Sequence, residues 1–168
     1  MIRTRLKEAY FGAFYPIRSV DRAGEDMNFV ETNDHNGLKS FYRENGLEVS
    51  SDLVRDDGAI FSIKCVENGK IISAATISRR FEVFILDYVA VSPYRRKNGL
   101  GERAVSEILS KAKQLGAKKV YITSKSPMFF KKFGFLEGGP DGVDMNADCV
   151  GCPQFNNGCS KLPMYIEI

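Results

Sequence analysis

Polar and apolar positions alternate in short blocks through the middle of the chain. Ile60–Val66 is an apolar-rich run that leads into Glu67-Asn68-Gly69-Lys70, and Lys70–Ser78 runs back out of it. Asn68-Gly69 is a strong hairpin signal, because both residues tolerate the positive φ that a tight two-residue turn requires. A second reversal near Arg79-Arg80 leads into Phe81–Val91, which is apolar at nearly every position. The pattern predicts an antiparallel meander of three strands, the third of them central and covered on both faces.

The period then changes. Leu100, Ala104, Ile108, Ala112 and Leu115 recur every three or four residues, which predicts an amphipathic helix. Glu102 in its first turn, and Lys111 and Lys113 near its last, match the helix dipole, and Gly116 ends it. Lys119–Ser124 reads as a strand, Pro127–Lys132 as a short helix, Phe135–Glu137 as the start of a further strand and Pro163–Ile168 as the last one. Strand, helix, strand in this order implies a right-handed crossover and a parallel pair. Upstream, Leu38, Phe41 and Tyr42 share one face of a helix over Asp34–Glu44, with Asp34 or Asn36 to cap it and Asn45-Gly46 to stop it. Residues 1–33 are dense in aromatics but broken by Gly12 and Pro16, and carry no single period.

Composition narrows the class without naming a function. A chain of 168 residues, 43% apolar and 27% charged, suits one soluble domain over 1–168. A net charge of +3 with no long basic stripe argues against a nucleic-acid partner. The apolar runs are too short to span a bilayer, and MIRTRLKEAY has no sustained apolar stretch. The expectation is therefore a cytoplasmic protein with no membrane partner, monomer or homodimer.

Candidate chemistry concentrates in Asp87–Gly101, DYVAVSPYRRKNGLG. A strand ends in a Pro-containing turn, three basic residues follow, and Gly99-Leu100-Gly101 opens the helix. Glycines let backbone approach a ligand closely, and the helix N-terminus offers unpaired N–H groups and the positive end of a dipole. A diphosphate suits this arrangement. It is not a Walker A loop, since no Gly-Lys-Ser/Thr follows, and it is not the dinucleotide fingerprint GxGxxG.

The stretch from Ile85 to Phe135 resembles the core of the GNAT superfamily of acyl-CoA N-acyltransferases. The family's Arg/Gln-x-x-Gly-x-Gly/Ala signature falls on Arg96–Gly101. Its preceding LxVxPxxR strand falls on Tyr88–Arg96, and its aromatic-x-x-x-Gly-Phe signature on Phe130–Phe135. The resemblance covers Ile60–Glu137, leaving residues 1–55 and a cysteine-containing segment, 140–168, outside it. It implies an α/β (α+β) fold: a mixed, mostly antiparallel central sheet with a splayed parallel strand pair and flanking helices. It further implies acetyl-CoA in the gap where Phe81–Val91 and Lys119–Ser124 part. Backbone of Val89, Ala90 and Val91 would meet the pantetheine and acetyl carbonyl. Arg95, Arg96, Lys97, Asn98, Gly99, Leu100 and Gly101 would hold the pyrophosphate, with Ser126, Phe129 and Phe130 along the far side.

Transfer to a primary amine needs a neutral amine, a donor for the developing oxyanion and a fate for the leaving thiolate. A strand N–H near Val89 or Ala90 suits the oxyanion. Asp87 is the leading candidate base, two positions before Val89 and so on its face of a regular strand; Glu82 is the second. The competing reading of Asp87 is a carboxylate held by a neighbouring Arg or Lys. The family commonly carries a Tyr where Phe130 stands, so the acid role passes to Ser126, Ser124 or Tyr121, directly or through water. A CoA thiol, with a pKa near the ~8.5 of free cysteine, needs no strict general acid.

Cys149, Cys152 and Cys159 crowd near the C-terminus. Cys-x2-Cys is a zinc half-site, and Cys159 adds a third thiolate for zinc or another soft metal; Cys65, Asp148 or His35 could complete it. A disulfide or redox pair, and free thiols, are the other readings, and the segment could lie over the acceptor site. The functions in view are acetyl transfer to a small-molecule or peptide amine, transfer to a protein lysine or N-terminus, and a non-catalytic acyl-CoA-binding or thiol- and metal-responsive module.

Overall fold

A computed structural model describes residues 27–49, 61–80, 82–145, 153, 157–159 and 161–168. Its elements run β1 (Phe29–Glu31), α1 (His35–Glu44), β2 (Phe61–Glu67), β3 (Lys70–Arg80), β4 (Val83–Val91), α2 (Leu100–Gln114), β5 (Lys119–Ser124), α3 (Pro127–Lys131), β6 (Leu136–Glu137) and β7 (Leu162–Glu167), with a single 3₁₀ turn at Pro93–Arg95. The seven strands form one sheet in the order β1-β2-β3-β4-β5-β7-β6. Every pairing is antiparallel except β4 with β5. The mixed sheet with its single parallel pair and flanking helices is the architecture anticipated above.

Local chemistry explains the punctuation. Asn68 and Gly69 both take positive φ, 48° and 75°, between β2 and β3. The second reversal falls later than expected: β3 continues through Arg80, which pairs with Val83, and Glu82 turns the chain at φ 62°. Asp34 caps α1, accepting from the Gly37 N–H at 2.9 Å and from Lys64 Nζ at 3.0 Å. Those contacts, the Gly37 N–H first, hold its carboxyl below the usual range. β1, three residues with two exposed, and the two-residue β6 are too short to show a period.

Two apolar layers enclose β4. On one face, Leu86 and Val89 join Ala75, Ile77, Val120 and Ile122 beneath Ala104, Val105 and Ile108 of α2. On the other, Ala90 and Tyr88 lie with Ala74 under Leu38, Phe41 and Tyr42 of α1. The second face is partly polar inside. The Tyr42 hydroxyl bonds Thr76 Oγ1 at 2.8 Å, and Thr76 Oγ1 meets Ser62 Oγ at 2.9 Å. Burial drives the Tyr42 phenol well above its usual range, so it stays neutral. A Y42F variant removes one buried hydrogen bond and leaves Thr76 and Ser62 paired with each other. It is expected to lose about 1 kcal/mol, read as a Tm lower by about 2–4 °C.

Candidate active site

The site begins where two strands part. β4 and β5 pair in parallel at Phe84↔Val120 and Ile85↔Tyr121. Beyond these pairs β4 stays with β3 as far as Val91, and β5 stays with β7 as far as Ser124. The cause lies in β4. Leu86 pairs with Ile77 and Tyr88 with Thr76, so Asp87 is an extra residue opposite neither. Such a bulge bends its strand and sharpens the local twist, and here it turns β4 away from β5 and opens a gap.

Backbone polarity inside the gap follows from the ladder. The Ser92 N–H donates to Ile72 O at 2.8 Å, across to the β3 side. Alternate residues of an antiparallel strand point their N–H and C=O in opposite directions. Ala90 therefore faces β3, and Val89 and Val91 turn their peptide groups toward the gap. Arg96 Nε donates to Val91 O at 3.1 Å, as this orientation requires. Of the two amides expected to meet an oxyanion, that of Val89 faces the gap and that of Ala90 is committed to the sheet.

Below the gap lies the basic turn. Arg96 is extended, Lys97 takes φ 65°, and Gly99 takes φ 78° as the N-cap of α2 with no side chain to cap the helix. The first amides of α2, at Leu100, Gly101 and Glu102, thus have neither an intrahelical acceptor nor a capping side chain. Residues Arg96–Gly99 are exposed, whereas the Leu100 side chain is buried against Met27, Cys65 and Ile72. Of Leu100, only the backbone can serve a ligand. A Cβ on Gly101 would lie 3.3 Å from Phe129 Cζ and 3.6 Å from Val91 Cγ2, so that glycine lets the helix end approach α3 and β4. Arg95 is turned aside: its Nε donates to Glu67 Oε2 at 3.0 Å and its guanidinium pairs with the same carboxylate. It braces the turn from β2, unlike Arg96 and Lys97.

The far wall is α3. Ser126 precedes it, exposed, with its N–H donating to Ser124 Oγ at 2.9 Å. Phe129 is half-buried and reaches Gly101. Phe130 is only 6% exposed, packed edge-on to Phe129 and Phe135, so it supports the wall from the core and does not line it.

The two candidate carboxylates separate. Glu82 lies at the hairpin turn, at the opposite end of β4 from the gap, with its side chain 84% exposed beside Arg79. Asp87 stands at the gap, but the bulge reverses the strand's parity. Leu86 and Val89 share the α2 face, so Asp87 points to the α1 face with Thr76 and Tyr42, not to the face of Val89. There it pairs with Arg80. Sequence reasoning passed over Arg80 because an Arg-Arg pair reads as a polar turn. Arg80 pairs with Val83 and reaches Asp87 only along the strand, so nothing in the hairpin's register marks the contact.

Cys149 and Cys152 lie outside the described residues. Cys159 is a half-buried free thiol and Cys65 a buried one, in an apolar cluster that pushes its thiol pKa upward. Cys65 is on β2 and Cys159 just before β7, with β3, β4 and β5 between them, so Cys65 cannot complete a site with Cys159. Among the described residues no group of three or more His, Cys, Asp or Glu is arranged to hold a metal ion. No helix among them is long and apolar enough to cross a membrane.

Known proteins agree with this geometry. The Acetyltransferase (GNAT) family matches residues 24–135, reaching further toward the N-terminus than the motifs alone. No curated protein matches the chain at a significant level. Among solved structures, N-acetylglutamate synthase from Neisseria gonorrhoeae, complexed with coenzyme A and N-acetyl-glutamate, is 18% identical with a TM-score of 0.62. The match covers 86% of this chain but only 36% of that one, so this chain spans little more than a third of the synthase. Rv2747 from Mycobacterium tuberculosis, in complex with CoA, is 15% identical with a TM-score of 0.61 over 83% of this chain and 99% of its own. Escherichia coli ElaA is 16% identical with a TM-score of 0.59 over 84% and 99%. At these identities the likeness is one of fold. With the family match spanning most of the chain, and the parted strands standing above an uncapped helix end, the protein belongs to the GNAT family of acetyltransferases, enzymes that use acetyl-CoA as acyl donor.

Proposed function

We propose that the chain moves an acetyl group directly from acetyl-CoA to the primary amine of a small, amino acid-like molecule or a peptide. The observation that carries this reading is the parting of β4 from β5 at the Asp87 bulge. It leaves the Val89 and Val91 peptide groups facing a gap that opens above the free amides of α2. The thioester supplies an activated acyl carbon. The acceptor's nitrogen bonds to that carbon as the carbon–sulfur bond breaks, so an ammonium and acetyl-CoA become an amide, CoA thiol and one proton. The Val89 N–H stabilises charge on the carbonyl oxygen. Amides from Arg96 to Gly101, with the Arg96 and Lys97 charges, hold the pyrophosphate. The binding of N-acetyl-glutamate by the Neisseria synthase favours an α-amine acceptor. Transfer to a protein lysine or N-terminus is the alternative acceptor class.

Calorimetry of acetyl-CoA with wild type and R96E tests the cofactor half. Micromolar binding is expected for wild type, weakened about tenfold or more in R96E, since a charge-assisted contact to phosphate becomes a repulsion. Equal affinities would remove Arg96 from the site.

One observation favours a second reading, a module that binds acyl-CoA without turning it over. The phenyl ring of Phe130 is buried and carries no hydroxyl to protonate a leaving thiolate. Acetyl-CoA binding with no product across a panel of amines would establish that reading. The cysteine segment is proposed to lie over the acceptor site; Cys149 and Cys152 fall outside the described residues, and Met145 O, the last described position before them, accepts from Thr123 Oγ1 of β5 at 3.2 Å. Native mass spectrometry decides whether Cys149, Cys152 and Cys159 carry a metal; an apo mass with four titratable thiols excludes both metal and disulfide.

A further inference from the structure

The Arg80–Asp87 pair stands at the bulge where β4 leaves β5. Ile85 and Tyr121 are the last parallel partners, and their side chains share the α1 face. Two residues further along each strand, on the same face, stand Asp87 and Thr123, one on each side of the opening gap. Arg80 reaches Asp87 from the neighbouring strand and also donates from Nε to Ser78 Oγ at 3.2 Å. The two charged side chains are 15% and 10% exposed. The pairs Lys64–Asp34, Arg79–Glu82, Lys119–Glu167 and Lys131–Glu137 each leave a partner about half exposed or more. Among the pairs between described residues the other covered one, Arg95–Glu67, braces the basic turn. Covered pairs thus flank both ends of the gap. Desolvating two charges offsets most of their mutual attraction, so stability alone is a weak reason to keep such a pair.

We propose that Arg80 and Asp87 form the acceptor-recognition site and select a free α-amino acid, Asp87 taking its ammonium and Arg80 its carboxylate. The proposal rests on the acetyl-transfer reading above and narrows its acceptor class. A cation and an anion in direct contact match a ligand whose own opposite charges are on adjacent carbons. The guanidinium fork suits a carboxylate in particular. A lysine side chain or a peptide N-terminus brings an ammonium with no carboxylate beside it. It would meet Asp87 but offer the Arg80 guanidinium no carboxylate. Asp87 is then the contact that places the amine near the Val89 amide, and Arg80 sets specificity.

The test uses the full chain with acetyl-CoA and reads acetylated product by mass spectrometry. Acceptors are L-glutamate, L-methionine and L-phenylalanine, each beside its α-carboxamide, together with cadaverine and a short peptide. Wild type is expected to prefer the best free acid over its amide by about tenfold or more in kcat/KM. R80Q is expected to lower the acid's kcat/KM about tenfold while lowering the amide's less than about threefold, with R80K in between. A purely structural role for Arg80 would lower acid and amide alike, and that result overturns the proposal. Equal use of acid and amide by wild type, or faster use of cadaverine or the peptide, also overturns it while leaving acetyl transfer intact. Acetyl-CoA binding with no product from any acceptor overturns the transfer reading and this one with it. If R80Q fails to fold, the wild-type comparison and R80K decide.

Discussion

Replacing Val89 by proline is expected to lower turnover by about 10²–10³-fold while the protein melts close to wild type. The backbone geometry makes this an unusually clean substitution. Proline removes an N–H, and in the interior of a sheet that normally breaks the ladder. The Val89 N–H faces the gap, because Ser92 and hence Ala90 are the residues bonded to β3. The V89P ring therefore deletes the amide proposed to hold the carbonyl oxygen without deleting a β3 contact. Acetyl-CoA affinity should fall far less than kcat, since the lost interaction strengthens as charge develops on that oxygen. A90P is the matching control. Its missing N–H points at β3, and its ring must fit among Leu38, Phe41, Tyr42 and Ala74, so it is expected to melt several degrees lower. Single-turnover acetylation and thermal melts of both variants decide the matter. Wild-type turnover in V89P would assign the oxyanion to another donor.

The contrast between these neighbours shows what a sequence carries and what it does not. The meander was legible because Asn68-Gly69 has one conformational meaning and β2 and β3 alternate or fill cleanly around it. α2 was legible because its apolar residues hold a helical period from Leu100 to Ala112 and sit beneath the sheet as that period demands. The shape of the basic turn into α2 was legible because a glycine that opens a helix after a tight turn takes positive φ, here 78° at Gly99. The orientation of Asp87 was not legible. A bulge adds one residue, and one residue reverses every side chain beyond it. Nothing in FILDYVAV marks where the extra residue falls, since apolar residues occupy both faces of a strand covered on both sides. Reading Asp87 two positions before Val89 assumed a regular strand; the structure places it on the opposite face, against Arg80. For the same reason Arg80, which reads as part of a turn, is seen beside Asp87 only once β3 extends to it. Phe130 is a different case: the signature gives an aromatic there but not its burial, and packing against Phe129 and Phe135 is visible only in the fold.

The second large effect is expected at the other end of the gap, where two glycines are required for different reasons. Gly99 has open space around a notional Cβ, but its φ of 78° is one that a residue with a side chain adopts only at a cost. G99A is therefore expected to strain the turn by about 1–2 kcal/mol, seen as an acetyl-CoA affinity reduced about 5- to 30-fold. Gly101 has ordinary helical geometry and almost no room. Its Cβ would press on Phe129 Cζ at 3.3 Å, and the next atoms of a larger side chain have Phe129 on one side and Val91 on another. G101L must push Phe129 from the wall or project into the space above the first-turn amides. Both would block the proposed approach of a pyrophosphate to those amides. Overpacking of about 1–3 kcal/mol, added to the loss of those N–H contacts, leads to an expected affinity loss of about 100-fold. Calorimetry of acetyl-CoA against G99A and G101L, with a thermal melt of each, separates the two requirements. If G101L binds as wild type while G99A does not, the turn's conformation governs the site and the close approach of Phe129 is incidental. If G101L binds far more weakly at a similar Tm, the helix end and α3 act together as the jaws that hold the diphosphate.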